Sequence, residues 1–242
     1  MENKGFIGIT GASSGIGKAT AKLFLEKGYS VLLMARRVEE MKGFEENPNA
    51  LIAKTDVTKI AELEAAVQAG EAKFGPLQCM INNAGIMLLG DVAVQDSCEW
   101  EQMIQVNITG VLNGMKTALT TMKPRNTGTI INISSIAGKK AFPNHAAYVG
   151  TKFAVTGMTE NVREEVAGQD IRVILICPGV VETALLSHTT DTQIRSDYQD
   201  WKTSINGGLG AEDIANAIAF AFEQPQSITI RDITLAPTRQ LG

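Results

Sequence analysis

The chain has 242 residues, of which 44% are hydrophobic and 20% charged, and its formal net charge is −4. A chain of this length can bury the core of one large α/β domain. Its 22 basic residues are outnumbered by 26 acidic ones, which argues against nucleic acid or an anionic membrane surface as a partner. The first apolar segment is far shorter than a signal peptide or a membrane span requires, so we expect a soluble cytoplasmic protein.

Short apolar segments rich in Val and Ile alternate with helix-length segments along the whole chain. Apolar runs without polar alternation suit strands covered on both faces, and interleaved helices suit right-handed βαβ crossovers. We therefore predict a single α/β domain over residues 1–242, with a doubly wound, seven-stranded parallel sheet flanked by about six helices. The predicted strands are 5–10, 30–35, 50–54, 78–82, 128–133, 171–177 and 228–235, and predicted helices include 15–28, 59–74 and one that ends near Val166.

A glycine-rich turn joins the first strand to the first helix. Gly11, Gly15 and Gly17 let the backbone bend tightly there, and the helix N-terminus presents unpaired N–H groups to an anion. The spacing G-x-x-x-G-x-G differs from the general dinucleotide pattern G-x-G-x-x-G and also fits a purely structural turn. Its position at the first crossover favours a dinucleotide site. The predicted contacts are Gly11, Ser13, Ser14, Gly15, Ile16 and Gly17.

Two arginines follow the second predicted strand. An NAD-preferring domain usually has a carboxylate near this position, but the chain has Arg36 and Arg37, and its first carboxylate is Glu39. A guanidinium forms charge-assisted hydrogen bonds with a 2′-phosphate. We therefore predict NADP(H) as the cofactor, with a solvated basic pair at a helix start as the alternative.

A serine, a tyrosine and a lysine come next. Tyr148 lies thirteen residues after Ser135 and four before Lys152, which places Tyr148 and Lys152 on one helix face. A tyrosine pKa of about 10 is lowered by a nearby cation, and the phenol can then exchange a proton with a carbonyl or alcohol oxygen. A serine hydroxyl can polarise the same oxygen. Taken alone, Y-x-x-x-K also fits an incidental pair on a surface helix.

Together these features resemble the short-chain dehydrogenase/reductase family, and the resemblance covers essentially the whole chain. The matching motifs are Thr10-Gly11-x3-Gly15-x-Gly17, Asp56-Val57, Asn82-Asn83-Ala84-Gly85, Ser135, Tyr148-x3-Lys152 and Pro178-Gly179-Val180-x2-Thr183. The resemblance implies a Rossmann fold and hydride transfer between the nicotinamide of NADP(H) and a carbonyl/alcohol pair.

The family pattern also implies roles for single residues. Tyr148 would be the general acid/base, and Lys152 would hold the nicotinamide ribose and lower the pKa of Tyr148. Ser135, rather than Ser134, would orient the substrate oxygen, and Asn107 would anchor a water that links Lys152 to solvent. The implied cofactor contacts are Asp56 and Val57 at the adenine, Asn83, Ala84 and Gly85 under the ribose, Pro178, Gly179, Val181 and Thr183 around the nicotinamide, and Ser13 and Ser14 beside Arg36 and Arg37. Alternatively, Asn107 is a plain helix residue and Asp56 a turn former.

The substrate wall is expected from loops at the carboxyl ends of the strands. Its candidates are Ile86, Met87, Leu88, Ile136, Phe142, His145, Leu185, Leu186, Tyr198 and Trp201. We expect residues 184–210 to form a lid, with Gly207, Gly208 and Gly210 as its hinge. A mostly apolar wall suits a small or medium carbonyl or alcohol. The segment 236–240 resembles that of NADP-dependent members that act on short hydroxy acids or β-hydroxy amino acids, which weakens a 3-ketoacyl-thioester reductase.

Other properties are expectations of the same kind. A non-catalytic NADP(H)-sensing regulator is the main alternative from another functional class, and a nucleotide-sugar epimerase or dehydratase is a weaker one. By resemblance we expect a homotetramer, or a homodimer, formed through the helices that hold residues 107–122 and 146–166. The scattered cysteines Cys79, Cys98 and Cys177 are typical of a reducing compartment, and the two histidines predict no metal centre.

Overall fold

The computed structural model describes residues 6–241, so Gly5 of the first predicted strand lies outside the described residues. Seven strands form one fully parallel sheet in the order β3-β2-β1-β4-β5-β6-β7. The single α/β domain with a seven-stranded sheet is therefore confirmed. The strands are β1 Phe6–Thr10, β2 Ser30–Ala35, β3 Ala50–Lys54, β4 Leu77–Asn82, β5 Thr127–Ile133, β6 Asp170–Pro178 and β7 Asp232–Leu235.

Helices connect successive strands and cover both faces of the sheet. They are α1 Gly15–Glu26, α2 Ile60–Phe74, α3 Ser97–Ile104, α4 Gly110–Met122, α5 Ala146–Glu165, α6 Thr192–Ser204 and α7 Ala211–Phe222. A π-helical turn, Gln105–Thr109, makes α3 and α4 continuous. None of the helices within residues 6–241 combines the length and the apolar character needed to cross a bilayer.

Successive residues of the inner strands point into two different cores, as expected for a sheet buried on both faces. Phe6 and Leu32 pack in one core against α2, α4 and α5, whereas Ile7 and Leu33 pack in the other against α1 and α7. All four side chains are fully buried. This double burial explains why the strands appear in the sequence as unbroken apolar runs.

The prediction of a last strand over residues 228–235 was too long at its start. The backbone N–H of Ile228 donates to the carbonyl of Pro225 in a turn after α7, and the Ile228 side chain is 48% exposed. The strand begins only at Asp232, where pairing with Leu175 of β6 starts. The apolar residues before Asp232 therefore led to a predicted strand that starts too early.

The strand order reverses direction between β1 and β4, because the chain winds outward from β1 to β3 and then from β4 to β7. Ligands of doubly wound sheets bind beyond the carboxyl ends of the strands at such a reversal. The glycine-rich turn follows β1, and Asn83 follows β4, so both lie at this position.

Candidate active site

A cleft of about 820 Å³ opens beyond the carboxyl ends of the strands. This volume is in the range of cofactor and substrate pockets. The predicted site residues that line it are Gly11, Ser13, Ser14, Gly15, Ile16, Arg36, Arg37, Asp56, Val57, Asn83, Ala84, Gly85, Ser135, Tyr148, Lys152, Pro178, Gly179, Val181 and Thr183. Gly17 and Asn107 are not among the lining residues, but both contact residues that are.

The turn after β1 lies close against the turn after β4. Gly11 has a positive φ of 67°, and a Cβ at this position would lie 2.8 Å from the Cα of Ala84. The side chain of Asn83 holds the two turns together by donating to the carbonyl of Thr10 at 2.9 Å. Only glycine combines this backbone conformation with so close an approach.

The first helix begins at the edge of the cleft, where Gly15 and Ile16 line it. Ser14 is its N-cap, and the Ser14 side chain caps none of the first N–H groups of the helix. A Cβ on Gly17 would lie 2.4 Å from the carbonyl oxygen of Gly11, so Gly17 lets α1 pack directly on the glycine-rich turn. The uncapped N-terminus is thus positioned to hold a pyrophosphate.

Cationic side chains gather at the β2 end of the cleft. The Arg37 Nη2 donates to Ser14 Oγ at 3.4 Å, and Arg36 lies close enough to Asp56 to contribute to its electrostatics. Burial raises the pKa of Asp56, but hydrogen bonds from Thr58 and the charge of Arg36 lower the pKa more, so the carboxylate stays ionised. These groups fit the 2′-phosphate and the adenine amine of NADP(H).

The phenol of Tyr148 is buried at the start of α5, where it is 6% exposed. Burial raises the pKa of Tyr148, and a hydrogen bond with the Ser135 side chain lowers it in part. The Ser135 Oγ also accepts from the N–H of Ala137 at 3.0 Å. By contrast, the Ser134 hydroxyl donates to the carbonyl of Lys152 at 3.1 Å.

The ammonium of Lys152 lies 5.7 Å from the centre of the Tyr148 ring and donates to the carbonyl of Ile133 at 3.0 Å. Burial lowers the pKa of Lys152 to about 8. The family resemblance predicts that Lys152 lowers the pKa of Tyr148. In this structure a hydrogen bond with Ser135 lowers the pKa of Tyr148 in part, and an effect of Lys152 on that pKa stays a prediction.

Asn107 lies in the π-helical turn behind Gly85. A Cβ on Gly85 would lie 3.3 Å from Asn107 Oδ1 and 3.8 Å from the Lys152 ammonium, so Gly85 separates the two groups. The Asn107 amide also donates to Thr151 Oγ1 at 3.1 Å. The π-helical turn thus places an amide against α5, as such bulges often do at functional sites.

Nine of the ten predicted wall residues line the cleft. Leu88 does not; it is buried in a neighbouring apolar cluster, and Leu89 lines the cleft instead. His145 lies with its ring centre 6.3 Å from that of Tyr148 and 6.2 Å from that of Tyr198. The wall therefore begins directly beside the predicted general acid/base.

The predicted lid contains a short 3₁₀ helix, Ala184–His188, and α6. Glu182 ties its two ends together, because its carboxylate accepts from the Lys202 ammonium and from the N–H of Gly208, each at 2.7 Å. Gly207 has a positive φ of 89°, whereas Gly208 lies against the backbone of Val180. Motion of this segment stays a prediction.

Three residues of the cleft region were not predicted from the sequence as part of the site. Gln240 accepts from the N–H of Val180 at 2.9 Å, and Thr189 joins the backbone of Met87 and Leu89. His188 has a buried Nδ1 without a hydrogen-bond partner among the described residues, and burial and Arg37 lower its pKa. No motif marks these residues, because their contacts depend on distant parts of the chain.

Comparison with known proteins gives a consistent result. A family model described as short chain dehydrogenase matches residues 6–194. An uncharacterized oxidoreductase of Listeria monocytogenes is 39% identical over 251 residues, which cover 99% of this chain and 98% of that protein. Glycine betaine reductase of Emericella nidulans is 35% identical over 234 residues, which cover 95% of this chain but 18% of that longer protein.

Among solved structures, the closed form of serine dehydrogenase complexed with NADP+ has a TM-score of 0.90 at 28% identity, and the match covers 98% of this chain and 96% of that one. The stretch matched by the family model contains the glycine-rich turn, the two arginines and the Tyr148–Lys152 pair. The chain therefore belongs to the short chain dehydrogenase family of oxidoreductases.

Proposed function

We propose that this protein reduces a small or medium-sized aldehyde or ketone with NADPH and catalyses the reverse oxidation of the alcohol. The observation that carries the proposal is the position of Tyr148, which is buried and hydrogen-bonded to Ser135 in the same cleft as the glycine-rich turn and the arginine pair. When bound, NADPH supplies the hydride that reduces the carbonyl carbon.

The residues of the chain supply the proton and the orientation. Because the pKa of Tyr148 is raised, its phenol stays protonated at neutral pH and can donate to the carbonyl oxygen. Ser135 donates a hydrogen bond to the same oxygen as negative charge develops there. The phenolate that remains lies near the Lys152 ammonium, which stabilises it.

NADP(H) is the cofactor that the residues of the cleft favour. Arg36 and Arg37 stand where an NAD-binding domain would carry a carboxylate for the ribose. The glycine cradle and the uncapped N-terminus of α1 suit the pyrophosphate. Serine dehydrogenase, which is similar over almost the whole chain, was solved with NADP+. For this chain we assign the same cofactor.

The substrate is proposed only as a class. Serine and glycine betaine, named in two similar proteins, are small molecules with a cationic nitrogen. This favours the short hydroxy acids and β-hydroxy amino acids of the sequence analysis over a 3-ketoacyl thioester. A carrier-linked ketoacyl substrate that turned over faster than any free small carbonyl would reverse this ranking.

The proposal is tested by following NADPH and NADH oxidation optically across aldehydes, ketones, keto acids and β-keto esters, with Tyr148→Phe as the control. NADPH oxidation that the substitution abolishes is the expected result. NADPH binding without turnover in either direction would instead favour an NADP(H)-sensing regulator.

We also propose a homotetramer or homodimer that pairs α4 and α5 with their copies. Leu112 and Phe153 are 44% and 46% exposed on these helices, and a Cβ on Gly150 or Gly157 would meet no atom within 4 Å. An apolar face with small residues allows close helix contact. Light scattering that finds a monomer would remove this proposal.

We place the protein in the cytoplasm. Cys79, Cys98 and Cys177 are all free thiols, and Cys98 is exposed, which suits a reducing compartment. Fractionation of cells that finds the protein outside the cytoplasm would contradict this.

A further inference from the structure

The outer part of the cleft has an unusual set of side chains. The ring of Tyr198 on α6 lies 6.2 Å from that of His145 and 5.2 Å from that of Trp201, measured between ring centres. All three rings line the cleft. Since His145 also contacts the Tyr148 ring, this aromatic subsite, formed by His145, Tyr198 and Trp201, begins beside the proposed proton donor.

The aromatic subsite is electron-rich as well as apolar. The His145 Nδ1 lies 2.6 Å from the carbonyl oxygen of Pro143, and because that oxygen can only accept, Nδ1 carries the proton. Burial lowers the pKa of His145, so the ring is neutral and its Nε2 keeps a lone pair. Ring faces and this lone pair attract cations and repel carboxylates.

The charged side chains around the aromatic subsite also favour a cation. Asp197, next to Tyr198 on α6, also lines the cleft, and its carboxylate accepts from Gln193 at 2.7 Å. Lys202 is the basic residue of α6 that lines the cleft, and its ammonium is already paired with Glu182 at 2.7 Å.

The other Lys and Arg side chains that the described residues contribute to the cleft are Arg36, Arg37 and Lys152, which belong to the cofactor and catalytic regions. The neighbouring ring of Phe142 already has the Lys140 ammonium 4.9 Å from its centre, so we do not include it in the subsite.

We propose that the aromatic subsite and Asp197 bind a cationic nitrogen, so that the preferred substrate is a short carbonyl compound with a quaternary or protonated amine. The inference rests on the proposed function, because it places the cation next to the carbonyl that Tyr148 would protonate. The His145 and Tyr148 ring centres are 6.3 Å apart, so only a few covalent bonds can separate the cationic nitrogen of the substrate from its carbonyl group.

The decisive experiment compares two alcohols of nearly the same shape. Choline has a trimethylammonium group where 3,3-dimethylbutan-1-ol has a neutral tert-butyl group. Calorimetry with the NADP+-loaded protein measures the Kd of each, and we expect choline to bind at least about fivefold more tightly, as for a partly desolvated cation–π site. Equal or tighter binding of the neutral alcohol, or no binding of choline, would overturn the proposal.

Variants locate the effect. Asp197→Asn and Trp201→Leu should bring the ratio of the two Kd values toward one, whereas Trp201→Phe, which keeps a ring, should preserve most of the preference. Asp200→Asn is the matched control, because Asp200 is an exposed carboxylate of the same helix that does not line the cleft. A preference for choline that survives both Asp197→Asn and Trp201→Leu would place the cation elsewhere and refute the assignment.

A separate measurement keeps this inference distinct from the proposed function. NADPH oxidation by 3,3-dimethylbutanal and by trimethylammonioacetaldehyde tests hydride transfer, whatever the Kd ratio is. Turnover of the neutral aldehyde without a choline preference would overturn the cation subsite alone. A choline preference without turnover of either aldehyde would support the subsite and contradict the proposed reductase.

Discussion

The side-chain amide of Asn107 pairs with both backbone groups of Ile86. Its Nδ2 donates to the Ile86 carbonyl at 2.9 Å, and its Oδ1 accepts from the Ile86 N–H at 2.9 Å. Ile86 follows Gly85 at the floor of the cleft and lies outside the seven strands of the described chain. Asn107 therefore substitutes for a neighbouring strand and holds the backbone beside Lys152 in place.

Replacing Asn107 should weaken the fold as well as the site. Asn107→Ala leaves the partly buried Ile86 N–H and carbonyl without their partner, and an unpaired group of this kind costs up to about 1–3 kcal/mol when water cannot reach it. We expect the free energy of unfolding, measured by urea denaturation followed by circular dichroism, to fall by about 2 kcal/mol. Asn216→Ala, at an exposed position of α7, should change stability little. Equal stability of the two variants would contradict the structural role of Asn107.

Tyr148→Phe should abolish carbonyl reduction while leaving the cofactor bound. Loss of a positioned proton donor lowers rates roughly 10²–10⁴-fold. The kcat of the variant and its Kd for NADPH, measured by fluorescence, test the two halves of this statement. Tyr29→Phe, which alters a ring packed on Phe24 and Phe222 far from the cleft, is the matched control. Residual activity near that of the control would exclude Tyr148 as the acid.

Replacing Arg36 with Asp and Arg37 with Ser should shift the cofactor preference from NADPH toward NADH. Each charge-assisted hydrogen bond lost corresponds to a roughly tenfold to hundredfold rise in the KM for NADPH. Steady-state kinetics with both cofactors measures the change. Lys42→Ser removes a nearby exposed charge and should leave both KM values unaltered. An unchanged KM for NADPH in the double variant would refute the role of the two arginines.

The burial of Lys152 predicts a specific pH dependence of stability. Its pKa falls from 10.5 to about 8 on folding, so between these values the unfolded chain holds a proton that the folded chain has released. The neutral, buried Lys152 amine therefore makes its full contribution to stability above about pH 10.5, and this contribution is lost as the pH falls through about 8.

Between these limits the free energy of unfolding of the wild-type protein should rise by up to about 3 kcal/mol relative to that of Lys152→Met, because one pKa unit corresponds to about 1.36 kcal/mol. Urea unfolding of both proteins from pH 7 to pH 10.5 measures this difference. Parallel curves would show that the ammonium is not desolvated.

Gly17→Ala should disturb the glycine-rich turn without touching the cofactor. The new methyl group would lie 2.4 Å from the Gly11 carbonyl and 2.6 Å from the Asn83 amide, so α1 must shift. Overpacking of this kind costs about 1–3 kcal/mol, and we expect a higher KM for NADPH as well. Gly43→Ala, which meets no atom within 4 Å, is the control. A Gly17→Ala protein with normal stability and KM would show that this contact can relax.

Features that repeat along the chain could be predicted from the sequence. The apolar runs of β1 to β6 were located to within about one residue, because a strand buried on both faces needs an unbroken apolar segment. The last strand was misjudged, since Ile228 is apolar yet exposed in a turn. Leu88 and Leu89 could not be told apart, because a loop has no period that fixes which side chain faces the cleft.

The sequence by itself determined the fold class, the glycine-rich turn, the arginine pair and the Tyr148–Lys152 spacing. These depend on local periodicity, on steric freedom at single glycines and on residues four positions apart on one helix. Only the tertiary structure decided that Ser135 bonds Tyr148, that Asn107 pairs with Ile86 and that His145, Tyr198 and Trp201 meet in the outer cleft. Those contacts join segments far apart in the chain, and desolvation and hydrogen bonding at such contacts depend on packing that no local pattern encodes.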